Sequence, residues 1–206
     1  MKVALIGITG RVGTRVAAEL LQRNHTVTGI ARNPERVEAE QGLTVAKGDA
    51  ADPASLAPLL AGHDAVISAG RFASMDAAKL IDAVKRAGVP RLLVVGGAGS
   101  LDVAPGKALI DTPEFPEAYK PEASAGRAFL QVLRAEPKAS PLNWTFLSPS
   151  ALFEPGERTG QFRLGGEGLL VDANGKSWIS MEDYAIALVD ELERNAHPRA
   201  RFTVGY

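Results

Sequence analysis

Short apolar runs alternate with amphipathic stretches along the first half of the chain. Val3–Ile6 is apolar throughout and predicts a buried strand. In Arg11–Arg23 the apolar side chains recur every three or four positions, which predicts a helix with one buried face. The pattern therefore begins as a strand followed at once by a helix.

The same alternation continues to residue 97. Four further strands are predicted, at residues 25–32, 43–49, 64–70 and 91–97. Between them we expect a short helix near Pro34, a helix that starts after the N-cap Asp52, and a helix over Asp76–Ala87 closed by Gly88. Strands that alternate with helices predict an α/β fold with a doubly wound parallel sheet covered on both faces.

The second half is less regular. Leu101–Pro116 holds three prolines and no clear period, which predicts a long surface loop. A helix is expected over Glu117–Glu136, and the glycine-rich Pro155–Lys176 predicts loops or a small hairpin. Two strands are expected at residues 142–150 and 199–206, with a helix from the capping pair Ser180 and Asp183 to about residue 195 between them. With no repeat or linker, residues 1–206 are predicted to form a single domain.

Composition narrows the function classes. The net charge is −1, from 23 basic and 24 acidic residues, and gives no electrostatic reason to expect a nucleic-acid partner. The absence of cysteine excludes disulfides, thiolate nucleophiles and zinc–sulfur sites. No apolar run is long enough to cross a bilayer, and the three histidines lack metal-ligand spacing. We expect a cytoplasmic protein with no membrane contact and no metal.

Three glycines, Gly7, Gly10 and Gly13, lie where the first strand gives way to the first helix. Gly7 would make the turn, Gly10 would let a diphosphate come close, and Gly13 would let the helix pack on the sheet. The amides and the dipole of the helix would then face an anion. Glycines in such a turn can be purely structural, but their place in the first strand–helix unit favours dinucleotide binding.

The end of the second strand bears on which dinucleotide binds. No acid occurs from Thr28 to Asn33, where a site for NAD normally has one for the ribose hydroxyls. Arg32, helped by Arg36 or Arg11, could instead grip a 2′-phosphate with two hydrogen bonds. This predicts a preference for NADP(H), with NAD(H) as the alternative. The competing interpretation is that these arginines are simply solvated.

Two further strand ends face the same crevice. Asp49 could accept a hydrogen bond from the adenine amino group, or it could simply close a turn beside Gly48. Ser68, Ala69 and Gly70 are small enough for the ribose and diphosphate to pass, or they could merely end a strand.

The chain resembles the atypical short-chain dehydrogenases, and more narrowly the NmrA-like NAD(P)H-binding proteins that include NADH-flavin reductases, with biliverdin reductase B as a more distant relative. The residues that carry the resemblance run along the whole chain: "GITGRVG", "GDAADPASL", "VVGGAGSL", "DTPEFPEAYK", "WTFLSPSALFEPGERTG" and "ISMEDYAIALVDELE". The resemblance implies a single Rossmann-like domain that binds NAD(P)H and transfers hydride to a flavin or a similar planar acceptor.

The resemblance also implies roles for individual positions. Arg32 would meet the adenosine ribose or its phosphate, Asp49 the adenine, and Ser100 would lie near the nicotinamide. Ser148, Pro149 and Ser150 would lie beside the carboxamide. The diphosphate would be held by the residues of the glycine turn: Gly7, Thr9, Gly10, Arg11, Val12 and Gly13.

One feature departs from most short-chain dehydrogenases, which use a Tyr-x-x-x-Lys pair. Tyr119 is followed four positions later by Ala123, and Tyr184 by Leu188, so neither tyrosine fits. Alcohol–ketone chemistry is therefore in doubt. Hydride transfer to a flavin needs only placement and exclusion of water.

Ser100 could donate a hydrogen bond to the acceptor or could cap a turn. Tyr119 could stack on a planar substrate or could anchor its loop. Phe153, Phe162 and Arg158 are further candidates for the acceptor pocket, whereas Trp144 and Trp178 are expected to pack internally.

Two rival functions stay open. A non-catalytic regulator that senses the dinucleotide and acts through a protein partner would also lack the tyrosine–lysine pair. A sugar-nucleotide epimerase is weaker, since it normally needs that pair and a larger substrate domain. The sequence does not identify the acceptor or the oligomeric state.

Overall fold

The computed structural model describes all residues, 1–206. Its strands, in chain order, are β1 (Lys2–Ile6), β2 (Thr26–Ala31), β3 (Leu43–Lys47), β4 (Ala65–Ser68), β5 (Arg91–Val95), β6 (Asp102–Ala104), β7 (Lys107–Ala108), β8 (Asn143–Ser148), β9 (Leu152–Glu154), β10 (Arg163–Gly165), β11 (Trp178–Ser180) and β12 (Ala200–Gly205). The α-helices are α1 (Arg11–Gln22), α2 (Pro53–Leu60), α3 (Ala77–Arg86), α4 (Lys120–Arg134) and α5 (Met181–Arg194).

Eight strands form one sheet in the order β10-β12-β8-β5-β4-β1-β2-β3. All neighbours are parallel except β10, which runs antiparallel to β12. From β1 the chain proceeds to β2 and β3 on one side, then crosses to β4, β5, β8 and β12 on the other. The predicted doubly wound α/β fold is confirmed, and the point where the winding reverses lies between β1 and β4.

Helices cover both faces of this sheet. Helices α1 and α5 pack together on one face, where Val16, Leu20 and Tyr184 belong to one buried apolar cluster. Helices α2, α3 and α4 cover the other face through a second cluster that includes Leu80 and Phe129. Two buried layers on a sheet of this kind leave the carboxyl ends of the strands free to form a site.

Local signals at the helix ends act as predicted. The Asp52 carboxylate accepts from the amide of Ser55 at 3.4 Å, and the Ser180 hydroxyl accepts from the amide of Asp183 at 3.0 Å. Asn195 ends α5 in the left-handed conformation, with φ of 48°. Each of these residues lies directly before the first or after the last residue of its helix.

Two regions differ from prediction. Leu101–Pro116 is not a plain loop, because β6 and β7 form a hairpin and Leu109–Asp111 a 3-10 turn. The stretch 155–176 is mostly loop, one of the two predicted alternatives, but it contains β10, which joins the edge of the main sheet beside β12. The flanking strands β9 and β11 form a separate parallel pair. The partners of β9, β10 and β11 lie 26 residues or more away in sequence, so local pattern does not reveal them.

The helix expected from Glu117 begins as a 3-10 turn over Glu117–Tyr119 and becomes α-helical only at Lys120. None of the α-helices combines the length and apolar character that crossing a membrane requires.

Candidate active site

The turn between β1 and α1 is built around its three glycines. Gly7 has φ of +85°, and a β-carbon there would lie 2.9 Å from the carbonyl carbon of Ala69. Gly10 donates its amide to the carbonyl oxygen of Gly7 at 2.9 Å. Gly13 lies so close to that same oxygen that a β-carbon would overlap it. Both Gly7 and Gly13 are thus required by close approach of the backbone.

The start of α1 carries amides with no acceptor in the chain. Gly10 is the N-cap and offers no side chain, and the first turn contains no acidic residue. The amides of Arg11, Val12 and Gly13 therefore make no hydrogen bond within the protein. Unpaired amides and the dipole at the start of a helix attract negative charge, and the adjacent Thr9 is exposed.

Three exposed arginines belong to the elements around this turn: Arg11 begins α1, Arg32 follows β2, which pairs with β1, and Arg36 ends a 3-10 turn after β2. The side chains of Arg11, Arg32 and Arg36 make no hydrogen bond or ion pair within the chain, so all three are free to bind an anionic group. Asp49, at the end of the next strand, uses one carboxylate oxygen to accept the amide of Ala51 at 3.0 Å. Asp49 therefore closes a turn, as the alternative interpretation held, and one oxygen is left for a ligand.

The backbone of Ala69 and Gly70, directly after β4, lies against the glycine turn, whereas the side chain of Ser68 does not reach it. Ala69 and Gly70 contact the position of Gly7 and line a cleft beside it. The hydroxyl of Ser68 is buried and points at the sulfur of Met75, 3.7 Å away. Ser68 thus offers no side chain to a ligand.

A cleft of about 780 Å³ opens at the carboxyl ends of β4 and β5. The glycine-rich stretch after β5 forms one side, α4 another, and residues 109–119 and 151–177 complete the walls. Three apolar side chains at the walls are exposed, namely Tyr119 at 66%, Val171 at 45% and Leu152 at 40%. Exposed apolar surface around a cleft of this size is typical of a small-molecule site.

Ser100 and Tyr119 both line this cleft, as does Ala123, four positions after Tyr119. The hydroxyl oxygen of Ser100 accepts from a guanidinium nitrogen of Arg201 at 3.4 Å. The hydroxyl of Tyr119 has no partner in the chain. Gly99 lies directly against Ala123: a β-carbon on Gly99 would come within 2.8 Å of the Ala123 methyl.

Ser148, Pro149 and Ser150 lie beneath the cleft rather than in its wall. Ser150 donates to the carbonyl oxygen of Val204 at 3.0 Å, and the Ser148 hydroxyl lies 3.4 Å from Arg201. All three are buried, and none lines the cleft. The placement of these three residues beside the carboxamide of a nicotinamide stays a prediction; the wall of the cleft itself is formed by the next two residues, Ala151 and Leu152.

The further aromatic and basic candidates also lie elsewhere. Phe153 packs on Tyr184 with ring centres 4.7 Å apart, and Phe162 packs against the same core. Arg158 pairs with Glu19 at 3.0 Å. Tyr184 is fully buried and donates to the carbonyl oxygen of Leu147 at 2.7 Å, and this burial raises the pKa of Tyr184.

Several residues that contribute to the cleft carry no sequence signal. Glu122 of α4 accepts the amides of Phe72 at 2.6 Å and Ala73 at 3.0 Å, so it fixes the loop after β4 to the helix. Arg201 reaches Ser100 from β12. No group of three acidic or histidine side chains is arranged to hold a metal ion.

Comparison with known proteins agrees with this geometry. The model of a family described as NAD(P)H-binding matches residues 7–195. The uncharacterized protein YwnB of Bacillus subtilis (strain 168) is 42% identical over 214 residues, which cover 99% of this chain and 98% of YwnB.

Two solved structures are similar over their full length. One, from Bacteroides thetaiotaomicron, carries the provisional name epimerase; it is 43% identical and covers 100% of this chain and 96% of its own, with a TM-score of 0.93. The other, from Streptococcus pneumoniae TIGR4, carries the provisional name NADH-flavin reductase; it is 39% identical and covers 100% and 99%, with a TM-score of 0.85. The chain therefore belongs to the NAD(P)H-binding family of atypical, NmrA-like short-chain dehydrogenase relatives.

Proposed function

We propose that this protein is an NAD(P)H-dependent reductase that transfers a hydride to a flavin or a similar planar acceptor. One observation carries the proposal: the apolar cleft begins at the glycine turn. Val12 of the turn lines the cleft, and so do Ala69 and Gly70, which contact Gly7. A dinucleotide whose diphosphate lay on that turn would direct its nicotinamide into the cleft.

The residues of the turn fit such a cofactor. The unpartnered amides of Arg11, Val12 and Gly13 match the diphosphate, and the missing side chain of Gly10 leaves room for it. Arg32, with Arg11 and Arg36, would bind the 2′-phosphate, which supports NADPH over NADH. When bound, the reduced nicotinamide supplies a hydride.

The chain's own residues would then position the acceptor and exclude water. Tyr119, Leu152 and Val171 offer apolar surface for a flat ring system. Ser100 would donate its proton in a hydrogen bond to the acceptor atom that gains electron density. The overall reaction consumes NAD(P)H, the acceptor and one proton from solvent, and yields NAD(P)⁺ and the two-electron-reduced acceptor.

The cleft is less suited to epimerase or alcohol–ketone chemistry. Ala123 stands four positions after Tyr119, so no ammonium group is present there to lower the pKa of a tyrosine. The missing lysine therefore disfavours epimerase activity, the activity named for the relative from Bacteroides thetaiotaomicron, in the present chain. The flavin-reductase name of the Streptococcus pneumoniae relative is compatible with a cleft that has no such pair.

A dinucleotide-sensing regulator is the second candidate, because it would use the same turn without any acid–base pair. The deciding experiment measures NADPH and NADH binding by calorimetry, then their oxidation with FMN, FAD, riboflavin or a quinone. We expect binding of both nucleotides, tighter for NADPH, and acceptor-dependent oxidation. Binding without oxidation by any acceptor would favour the regulator, and no binding would overturn both candidates.

A further inference from the structure

Arg201 is a buried arginine placed under the floor of the cleft. Its side chain is only 1% exposed, although it lies on β12 next to the edge of the main sheet. One terminal nitrogen donates to the hydroxyl oxygens of Ser100 and Ser148, each at 3.4 Å. The other donates to the carbonyl oxygens of Ser100 at 3.4 Å and Glu167 at 3.3 Å.

The charge of Arg201 is balanced by Glu167. The Glu167 carboxylate accepts from Nε of Arg201 at 3.1 Å and also from a terminal nitrogen of that arginine. Arg134 of α4 binds both carboxylate oxygens at 2.7 Å. Burial alone would raise the pKa of Glu167, but the hydrogen bonds of the two guanidiniums hold it below its usual range. The carboxylate is therefore ionised at neutral pH.

Glu167 also links this network to the cleft wall. Its carbonyl oxygen accepts the amide of Asp102 at 2.9 Å, and the carbonyl oxygen of Asp102 accepts the amide of Leu169 at 2.9 Å. Leu169 and Val171 line the cleft. A shift of Glu167 would thus move the apolar wall on which an acceptor rests.

The hydrogen-bonding chemistry of arginine fixes the direction of the Ser100 hydroxyl. A guanidinium only donates, so the Ser100 oxygen must act as acceptor towards Arg201. The hydroxyl proton of Ser100 is then left to be donated elsewhere, and Ser100 itself lines the cleft. Arg201 is buried but Glu167 is half exposed, and an ion pair of this kind adds little net stability, so stability alone is a weak reason for this arginine.

We propose that Arg201 is a positioning residue for the reduction. It turns the Ser100 hydroxyl into a donor aimed at the acceptor, and through Glu167 it holds the wall formed by residues 167–171. This inference rests on the proposed reductase function for its kinetic part, while the part that concerns the wall is independent of it.

The kinetic test uses the purified full chain with NADPH and FMN. Arg201→Lys keeps the charge but loses the fork that reaches both Ser100 and Glu167. We expect kcat to fall about tenfold while the Kd for NADPH changes less than about twofold. The matched control is Arg199→Lys: Arg199 immediately precedes β12, two residues before Arg201, and its side chain binds only backbone carbonyls, so this change should leave kcat unchanged.

A double-mutant cycle then asks whether Arg201 acts through Ser100. In the Ser100→Ala background, Arg201→Lys should lower kcat by less than about threefold, because the hydroxyl it orients is gone. An equal loss in both backgrounds would overturn the positioning of Ser100, since a general structural effect is independent of that hydroxyl.

The wall is tested by hydrogen exchange, which needs no turnover. Arg201→Lys should speed exchange of the Asp102 and Leu169 amides at least about tenfold, with no change in α1 or α3. Unchanged exchange would overturn the role in the wall. If the wild-type protein oxidises no nucleotide, the reductase proposal fails, and so does the proposal that Arg201 orients Ser100 for that reaction. The hydrogen-exchange measurement still tests whether Arg201 holds the cleft wall.

A second variant covers the case in which Arg201→Lys does not fold. Glu167→Gln removes the negative charge of the half-exposed residue that pairs with Arg201. We expect it to speed exchange at the same two amides and to raise the KM for FMN, and normal values of both would overturn the proposal.

Discussion

Gly13 of α1 lies against the carbonyl oxygen of Gly7, at a distance that leaves no space for a β-carbon. The first helix therefore approaches the end of β1 more closely than any other residue at position 13 allows. This approach brings the free amides of α1 to the crevice between β1 and β4.

Replacement of Gly13 with alanine should push α1 off the sheet. We expect a loss of about 1–3 kcal/mol in the free energy of unfolding, as for an overpacked site, and a marked loss of NADPH affinity. Ala18→Gly is the control, because Ala18 is an exposed position of the same helix; it should cost about 1 kcal/mol of stability but no affinity. Urea unfolding and nucleotide titration measure the two effects. Normal NADPH affinity in Gly13→Ala would contradict the role of the turn.

The free arginine at the end of β2 should decide between the two nicotinamide cofactors. Arg32→Glu removes a donor pair for the 2′-phosphate and adds repulsion, so NADPH binding should weaken at least about tenfold, and NADH binding far less. Arg86→Glu, an exposed change on α3 on the other face of the sheet, should alter neither. Calorimetric titration of both nucleotides gives the answer; equal losses for the two would remove the basis for an NADP(H) preference.

Ser100 and Tyr119 should affect different kinetic constants. Ser100→Ala removes the hydrogen bond proposed to reach the acceptor, so kcat should fall on the order of tenfold or more. Tyr119→Phe keeps the ring and should be neutral, whereas Tyr119→Ala should raise the KM for the acceptor several-fold. Steady-state kinetics at saturating NADPH separate the effects. A lowered kcat in Tyr119→Phe would show instead that the phenol takes part in proton transfer.

The stability of the protein should fall in acid partly because of Glu19. This carboxylate is buried on α1 and accepts from Arg23 at 2.8 Å and Arg158 at 3.0 Å. Burial would raise its pKa, but hydrogen bonds from the two arginines hold it below the ordinary value of 4.5. Its stabilising effect is therefore complete above pH 4.5 and is lost as the pH falls through the lower folded-state pKa.

Urea unfolding over a pH series tests that statement. Glu19→Gln should be less stable at neutral pH, and its stability should change less steeply below pH 4.5 than that of the wild type. Glu35→Gln, on an exposed turn with no cationic partner, is the control and should leave the curve as it is. A curve of unchanged steepness in Glu19→Gln would mean that other carboxylates cause the acid loss.

The buried pair of Arg91 and Glu191 should matter for stability but not for turnover. Arg91 donates to Glu191 at 2.9 Å at the amino end of β5, the end of the sheet remote from the cleft. Burial lowers the pKa of Arg91, and Glu191→Gln would leave that guanidinium without its counter-charge. We expect a loss of about 3–5 kcal/mol. Chemical unfolding measures it, and kcat of the folded fraction should stay normal; a lowered kcat would link this network to the cleft.

Features set within a few residues were predictable. The spacing of Gly7 and Gly13 predicts the turn. Asp52 and Ser180 predict the starts of two helices, because an N-cap side chain accepts from the amide three positions later. The alternation of strands and helices was enough to predict the doubly wound sheet.

Features set by distant pairing or by side-chain direction were not predictable. Arg201 meets Ser100 across 101 positions of sequence, and β10 pairs with a strand almost forty residues later. Ser148 ends β8 and Ser150 follows it, yet both side chains are buried while Ala151 and Leu152 line the cleft. A shift of one residue in strand register turns a side chain from one face to the other, and a single sequence does not determine the register.

β10 is an edge strand whose only neighbour in the sheet is β12, through three residue pairs. An edge held by one short partner opens at a lower free-energy cost than the inner strands do. Glu167 follows β10 by two residues, so the wall formed by residues 167–171 lies at the margin of the sheet that opens first. We expect local opening of this margin to admit an acceptor while the turn between β1 and α1 stays folded.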